Sequence, residues 1–200
     1  MIDCGFSLKK IESKLDKLDV NPHDIDTILV THHHSDHSKS ALRASKKWGC
    51  NLISNAETAR RLEWGGVSRL KIFSELERIE AGVDISLLPV PVPHDDAENV
   101  AVIACGKNGK RAAVATDLGE VTAELISHLK KCDHISIEAN YDHARLMRGG
   151  YPDSLKRRVS GRGGHLSNYQ TAKALQEIVH PGLRSIVLCH LSESNNLPHI

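Results

Sequence analysis

Aromatic side chains are scarce, only 4% of 200 residues, which leaves the core to Leu, Ile, Val and Ala. Closely paired cysteines are missing altogether. The five that occur, Cys4, Cys50, Cys105, Cys132 and Cys189, are odd in number, scattered and never spaced as Cys-x-x-Cys. That pattern argues against a disulfide framework and predicts reduced thiols in a cytoplasmic protein. No uncharged apolar run reaches membrane-spanning length, and residues 1–8 show no basic segment followed by an apolar one. We therefore expect a soluble, unexported chain with no membrane partner. Repeats and low-complexity tracts are lacking as well, and the formal net charge of +1 shows no excess of either sign. Such a balance does not decide for or against nucleic acid, because a local basic face can hide inside it. What remains is ordinary globular composition, 40% hydrophobic and 26% charged, in a chain long enough for one sizeable core. A single domain over residues 1–200 is expected.

Histidine, by contrast, is concentrated. Residues 32–37 read His-His-His-Ser-Asp-His directly after Ile28-Leu29-Val30-Thr31. A packed core would have to hydrogen-bond every buried imidazole, and a solvated loop has no reason to gather four histidines and a carboxylate in six positions. Metal binding does have a reason, since imidazole nitrogen and carboxylate oxygen are the ligands a zinc-like ion takes at about 2.0 to 2.2 Å. In an extended stretch His32 and His34 point the same way, while Asp36 and His37 start the following turn and can face a second point close by. His33 is out of phase and reads as supporting or exposed. Two ions are implied.

Along the chain, Ser7 can cap a helix through Leu18, with Leu8, Ile11, Leu15 and Leu18 on one face. Residues 25–31 form a buried strand that delivers the histidines. Residues 39–48 look helical up to Gly49, residues 51–54 form a strand and residues 56–64 a helix. Strand-like pieces run from Ile79, and Pro89, Pro91 and Pro93 place their strand at a sheet edge or make it irregular, because proline cannot donate to a ladder. A hairpin joins residues 100–105 to 111–116 across Gly106-Lys107-Asn108-Gly109-Lys110, whose glycines and asparagine suit a turn. Helices follow at about 120–131, 151–159 and 167–179, with strands at 134–138 and 185–189. This order predicts sheets packed on each other and covered outside by helices.

Three polar residues stand where predicted strands end: His94, Asp117 and His190. Two ions roughly 3.5 to 4 Å apart need a ligand that bridges both, and a carboxylate can do so where an imidazole cannot. Asp117 is the candidate bridge. We assign His32, His34 and His94 to one ion and Asp36, His37 and His190 to the other, with Asp117 shared. Water between the ions would serve as nucleophile, oriented by Asp36. Zinc and manganese both accept such ligands.

Thr-His-x-His-x-Asp-His at 31–37, followed by His94, Asp117 and His190 in that order, resembles the metallo-β-lactamase fold superfamily. The resemblance implies an α/β fold, a four-layer αββα sandwich with a dinuclear site along one edge. More narrowly, Ala-Thr-Asp-Leu-Gly at 115–119, Glu-Ala-Asn-Tyr-Asp at 138–142, Tyr151-Pro152 with Leu-Lys-Arg-Arg at 155–158, Gly-His-Leu-Ser-Asn at 164–168 and His190-Leu191-Ser192 with Asn195-Asn196 resemble the YycJ or WalJ branch of bacterial hydrolases. That branch is associated with DNA exonuclease activity and implicated in DNA repair, which implies DNA as substrate. Members normally carry an extra strand before the segment matching residues 1–5 and a helix past the segment around Pro198, so a shortened sandwich lacking the first strand, with an exposed sheet edge, is expected. A cysteine in place of Asp117 would mark a zinc β-lactamase, and a glutamate in place of His34 a flavin-dependent di-iron relative; neither occurs.

The ligands do not exclude a thioester or lactone hydrolase, so the surroundings must decide. Lys156, Arg157 and Arg158, with Arg162 nearby, precede a glycine-rich stretch ending at His165. Arginine forks suit phosphate oxygens and glycines allow a backbone to approach a ligand. His165, in a loop resembling the histidine-serine loop of the tRNase Z relatives, can protonate a leaving oxygen, and a helix start at Ser167 and Asn168 would add donors for the same anion. Glu138 and Asp142 can orient ligand imidazoles. The leading reading is a metal-dependent phosphodiesterase, a DNA exonuclease with two divalent ions. A metal-stabilised but catalytically silent nucleic-acid or protein-binding module and a small thioester or lactone hydrolase remain open at this point.

Overall fold

The apolar run before the histidines is a strand, though shorter than its pattern predicts. In the computed structural model, which describes residues 1–199, only Thr27–Leu29 is hydrogen-bonded as β1. The chain divides into two compact units, Met1–Leu87 and the part from Leu88 onward.

In the first unit, β1 lies parallel to β2 (Asn51–Ser54), which lies parallel to β3 (Leu70–Ile72). All three β1 residues are buried, so the strand carries apolar residues on both faces. The unit has helices α1 (Leu8–Asp16), α2 (Ser35–Ser38), α3 (Ala41–Trp48) and α4 (Ala56–Arg61), and Ile11 of α1, Ala41, Ala44 and Trp48 of α3 and Ala59 of α4 share a core cluster with Ile28 and Leu52 of the sheet. The α3 helix stops where Gly49 takes the left-handed conformation (φ 75°) and its N–H returns to Ser45. Asn55 caps α4 by accepting from the Thr58 N–H. Ser7 occupies the cap position of α1 without a side-chain bond, and the helix ends two residues before Leu18, which is exposed. Ile28, Val30, Leu52, Ala44, Trp48 and Trp64 form the core here. The unit also contains β4 (Ile79–Glu80), antiparallel to the start of β5 (Ile85–His94).

The second unit carries most of β5, then β6 (Ala97–Gly106), β7 (Arg111–Ala115), β8 (His134–Glu138) and β9 (Ser185–Cys189), adjacent in that order. The expected hairpin is present, with Val102 opposite Val114 and Ala104 opposite Ala112. β7, β8 and β9 are parallel, linked through α5 (Ala123–Leu129) and through α6 (His143–Arg148), α7 (Asp153–Ser160) and α8 (Asn168–Ile178). α6 went unread in the sequence; Asp142 starts it by capping the Arg145 N–H at 2.8 Å. The core is aliphatic, with Ile103, Leu118, Leu125, Leu129, Ile135 and Ile137 fully or almost fully buried.

The proline strand obeys the sheet through parity. β4 reaches only Ser86 and Leu87 of β5. Pro89, Pro91 and Pro93 share one parity, so their missing donors all fall on one side of the strand. At the other end of the sheet β9 is an edge, with Ile186, Val187 and Leu188 exposed.

Asp133 joins three of these strands. It accepts from Lys110 Nζ at 2.8 Å and from the Arg111 N–H at 2.9 Å, while its carbonyl accepts from the Arg184 N–H at 2.7 Å. The Lys110 ammonium and then the Arg111 N–H hold its carboxyl down at about 2. A folded value below the unfolded one means that stability is fully present above the ordinary carboxylate pKa and lost as pH falls toward 2. Asp133→Asn is therefore expected to shrink the loss of stability between pH 5 and pH 2.5, as ~ordinary acid titration of a carboxylate predicts. Urea midpoints at several pH values measure it, and parallel curves for the two proteins would refute it.

Candidate metal centre

The parallel strands of the second unit bring their carboxyl ends to one side. Ala115 is opposite Ile137, and Ile137 opposite Leu188, so Asp117, Glu138 and His190 all emerge at the same edge. His94 ends β5, and the two-residue turn to Ala97 makes β5 antiparallel to β6, hence parallel to β7. Asp117 and His190 both hold left-handed backbone, at φ 58° and 54°. Asp and His tolerate this region better than most residues, and such outliers gather at functional sites. The Asn99 amide donates to the Asp117 carbonyl at 2.6 Å and helps fix it.

Asp117 and His94 are both buried. Asp117 Oδ1 lies 3.4 Å from His190 Nε2 and 3.8 Å from His94 Nε2. The other ring nitrogen of each histidine is engaged: His94 Nδ1 with the Gly164 carbonyl at 3.1 Å, His190 Nδ1 with Glu138 Oε1 at 2.8 Å. A carbonyl or an ionised carboxylate only accepts, so Nδ1 carries the proton and Nε2 offers its lone pair. Burial lowers the His94 pKa, against the opposing pull of Asp117, and keeps the imidazole neutral as a ligand must be.

Glu138 is the hub of this set. It is fully buried, accepts from His165 Nδ1 at 2.7 Å as well as from His190, and takes the Leu118 N–H on its other oxygen at 3.0 Å. Burial pushes its carboxyl up, but the hydrogen bonds from His165 and His190 outweigh burial and hold it below the usual range. Asp142, the other carboxylate considered for this task, caps α6 instead. Burial pushes the Cys189 thiol up to about 11, so it stays protonated.

In the first unit His32 is buried, His34 half-buried and His37 buried. His32 Nε2 lies 3.0 Å from His34 Nδ1, and His37 Nε2 3.6 Å from Asp36 Oδ2. Asp3 organises this half. Its carboxylate accepts from His37 Nδ1 at 2.7 Å and from the Thr31 N–H at 2.9 Å, and Thr31 Oγ1 contacts His32 Nδ1 at 3.1 Å. The sequence reading passed over Asp3; the available signal was a carboxylate closing a strand-like segment, as at Asp117. His33 contacts Arg61 Nη1 at 3.3 Å, and Arg61 donates to Glu57, which tethers the middle of the histidine stretch.

These distances test whether the donors fit an ion. Bonds of about 2.1 Å put neighbouring donors about 3.0 to 3.4 Å apart in octahedral or tetrahedral geometry. The pairs His32–His34, Asp36–His37, Asp117–His190 and Asp117–His94 lie between 3.0 and 3.8 Å. The chemistry, all imidazole and carboxylate with the Nδ1 of His32, His37, His94 and His190 engaged, fits a divalent cation.

The residues expected to contact an anion have partners within the fold. Ser167 forms a capping box with Gln170, and Asn168 pairs with Asn196 while its N–H goes to the Tyr141 carbonyl. At this helix start the N–H groups of Ser167, Asn168 and Gln170 are used by the fold. Lys156 donates to the Met147 carbonyl at 2.8 Å, Arg158 grips Asp95 through Nη2 at 2.6 Å and Nε at 3.1 Å, and Arg162 pairs with Glu120. Arg157 is exposed, as are Arg158 and Arg162 beyond their ion pairs.

With this geometry established, comparison with known proteins decides the family. Residues 1–191 match the model of the beta-lactamase superfamily domain. The chain belongs to the β-lactamase superfamily. It is 33% identical over 205 residues to the exodeoxyribonuclease WalJ of Streptococcus pneumoniae serotype 2 (strain D39), covering 100% of this chain and 76% of that protein. Among solved structures, zinc-bound PqqB from Methylobacterium extorquens matches with a TM-score of 0.74 at 16% identity, over 97% of this chain and 73% of that one. The metallo-β-lactamase fold protein YhfI from Bacillus subtilis matches with a TM-score of 0.68 at 16% identity, over 96% of this chain and 73% of that one. The superfamily chain thus has the metallo-β-lactamase fold. Among its described residues, no helix is long and apolar enough to cross a membrane.

Proposed function

We propose that the chain is a metal-dependent phosphodiesterase that degrades DNA as an exonuclease, in DNA repair or maintenance. The observation that carries this reading is the hydrogen-bonding of His94 and His190 through Nδ1, which turns both Nε2 atoms toward buried Asp117. Similarity to a protein named as an exodeoxyribonuclease supports the choice of substrate. The ligands are assigned by the order of the motif in the chain: His32, His34 and His94 for one divalent ion, Asp36, His37 and His190 for the other, Asp117 for both, with zinc or manganese as the ions. When bound, the ions supply Lewis-acid activation of water and neutralise charge on the phosphate.

The chain's own residues do the rest. Glu138 fixes the tautomers of His165 and His190 and balances positive charge on His165. His165, anchored at Nδ1, delivers a proton from Nε2 to the departing sugar oxygen. Arg157, and the Nη1 of Arg158 not used on Asp95, meet phosphates along the strand.

The chain loaded with manganese or zinc and offered end-labelled duplex and single-stranded DNA tests this directly. His165→Ala is expected to slow cleavage roughly 10²- to 10⁴-fold, and Asp36→Ala to reduce both the metal content by elemental analysis and the rate. Equal cleavage by the three proteins would mean a contaminating nuclease and end the assignment.

A further inference from the structure

Metal binding and proton transfer leave one feature of the second unit unused, a cleft of about 340 Å³ whose wall includes His165 and His190. Its other lining residues include Tyr151, Leu155, Val159, Leu191, Asn140 and Ser192. The volume is near the lower end of the roughly 300–1,000 Å³ typical of small-molecule sites. That is room for one nucleoside, not for stacked bases or a duplex.

The lining is divided by chemistry. Leu155, Val159 and Leu191 offer aliphatic surface and Tyr151 an aromatic ring, a combination suited to the flat apolar face of a base. Asn140 Nδ2 donates to the His190 carbonyl at 2.8 Å, which leaves the amide oxygen as an acceptor for a ligand. Ser192 Oγ accepts from the Asn195 N–H at 3.1 Å and keeps its own O–H to donate. An acceptor and a donor beside apolar surface match a sugar hydroxyl or a base edge. At the rim, Arg158 binds Asp95 through Nε and Nη2 and retains Nη1 for a phosphate oxygen.

We propose that this cleft holds the terminal nucleoside of the strand being cut, its base against Tyr151 and the aliphatic side chains, its sugar toward Asn140 and Ser192. The proposal rests on the phosphodiesterase reading and deepens it: a space for one nucleoside beside His165 and His190 makes removal stepwise from an end, since an internal nucleotide would have to bring its neighbours into the same space.

Two measurements on the full chain test it. In the first, metal-free protein is titrated with the fluorescent nucleotide 2-aminopurine deoxyriboside 5′-monophosphate and, in competition, with deoxyribose 5-phosphate. The base is expected to improve affinity about tenfold, as stacking on one aromatic ring does, and Tyr151→Ala or Leu155→Trp should remove that advantage. Equal affinity for the two ligands overturns the proposal. The second needs no variant: the loaded protein is given duplexes with an intact or an abasic terminal residue, and kcat/KM is expected to fall about tenfold for the abasic end. Equal kcat/KM overturns the cleft assignment while leaving the phosphodiesterase reading intact. Base-dependent nucleotide binding with no hydrolysis of either duplex upholds the cleft and overturns the phosphodiesterase reading.

Discussion

Glu138→Gln is expected to weaken divalent-metal binding and activity roughly 10- to 100-fold, the range found when a residue that orients metal ligands is changed. The side chain is fully buried and accepts three hydrogen bonds, from His165 Nδ1, His190 Nδ1 and the Leu118 N–H. An amide has one acceptor atom where the carboxylate has two. Glutamine must therefore turn its NH₂ either toward the two imidazoles or toward Leu118, and each choice sets a donor against a donor. If the amide faces the rings, His190 does better to move its proton to Nε2, which then has no lone pair for a metal. Glu138→Ala goes further, because it leaves three donors without an acceptor, each unsatisfied group costing about 1–3 kcal/mol. Titration calorimetry with zinc and manganese, alongside thermal unfolding of the metal-free protein, separates the two effects. Wild-type metal affinity in Glu138→Gln would show that the two histidines do not depend on this carboxylate.

The second large effect is expected at a backbone contact. At Gly5 an added Cβ would sit 1.4 Å from the Asp36 carbonyl oxygen and 2.0 Å from its carbon. Both obstructing atoms are backbone, so no rotamer change relieves the clash. The segment is also pinned to the helix it would strike, through the Cys4 N–H on the His37 carbonyl at 2.6 Å and the Ser40 N–H on the Cys4 carbonyl at 2.9 Å. Gly5→Ala must push α2 outward or break these bonds, and overpacking of this kind costs about 1–3 kcal/mol or more. Because α2 carries Asp36 and His37, metal affinity is expected to fall together with stability. Urea unfolding of metal-free and metal-loaded protein reads both, and an unchanged midpoint in Gly5→Ala would disprove the close approach.

Much of the candidate site was legible because its donors follow strand ends, where alternation stops and polar residues have no packing reason to stand. His32, His34, Asp36, His37, His94, Asp117 and His190 could each be located that way. The supporting layer was harder to read. Asp3 lies 34 positions before His37 yet shares its proton, and no local pattern encodes a contact over that separation. The basic cluster is differentiated for a related reason. Lys156, Arg157 and Arg158 look equivalent in sequence, but Asp95, 63 positions from Arg158, takes up most of one guanidinium. Ser167 read as a helix start, and it is one; that its donors go to Gln170 and the Asn168 N–H to the Tyr141 carbonyl depends on neighbours brought in by the fold.

Composition and spacing by themselves determined an α/β chain with its candidate metal donors at strand ends, and the motifs those donors form carried the resemblance to the superfamily, since residue type at strand ends is a local property. Tertiary structure alone decided which ring nitrogen His37, His94 and His190 present, that Glu138 and Asp3 hold two of them, and that a cleft opens beside His165. Those are matters of a few ångströms between residues distant in sequence, and only close packing of the folded chain sets them.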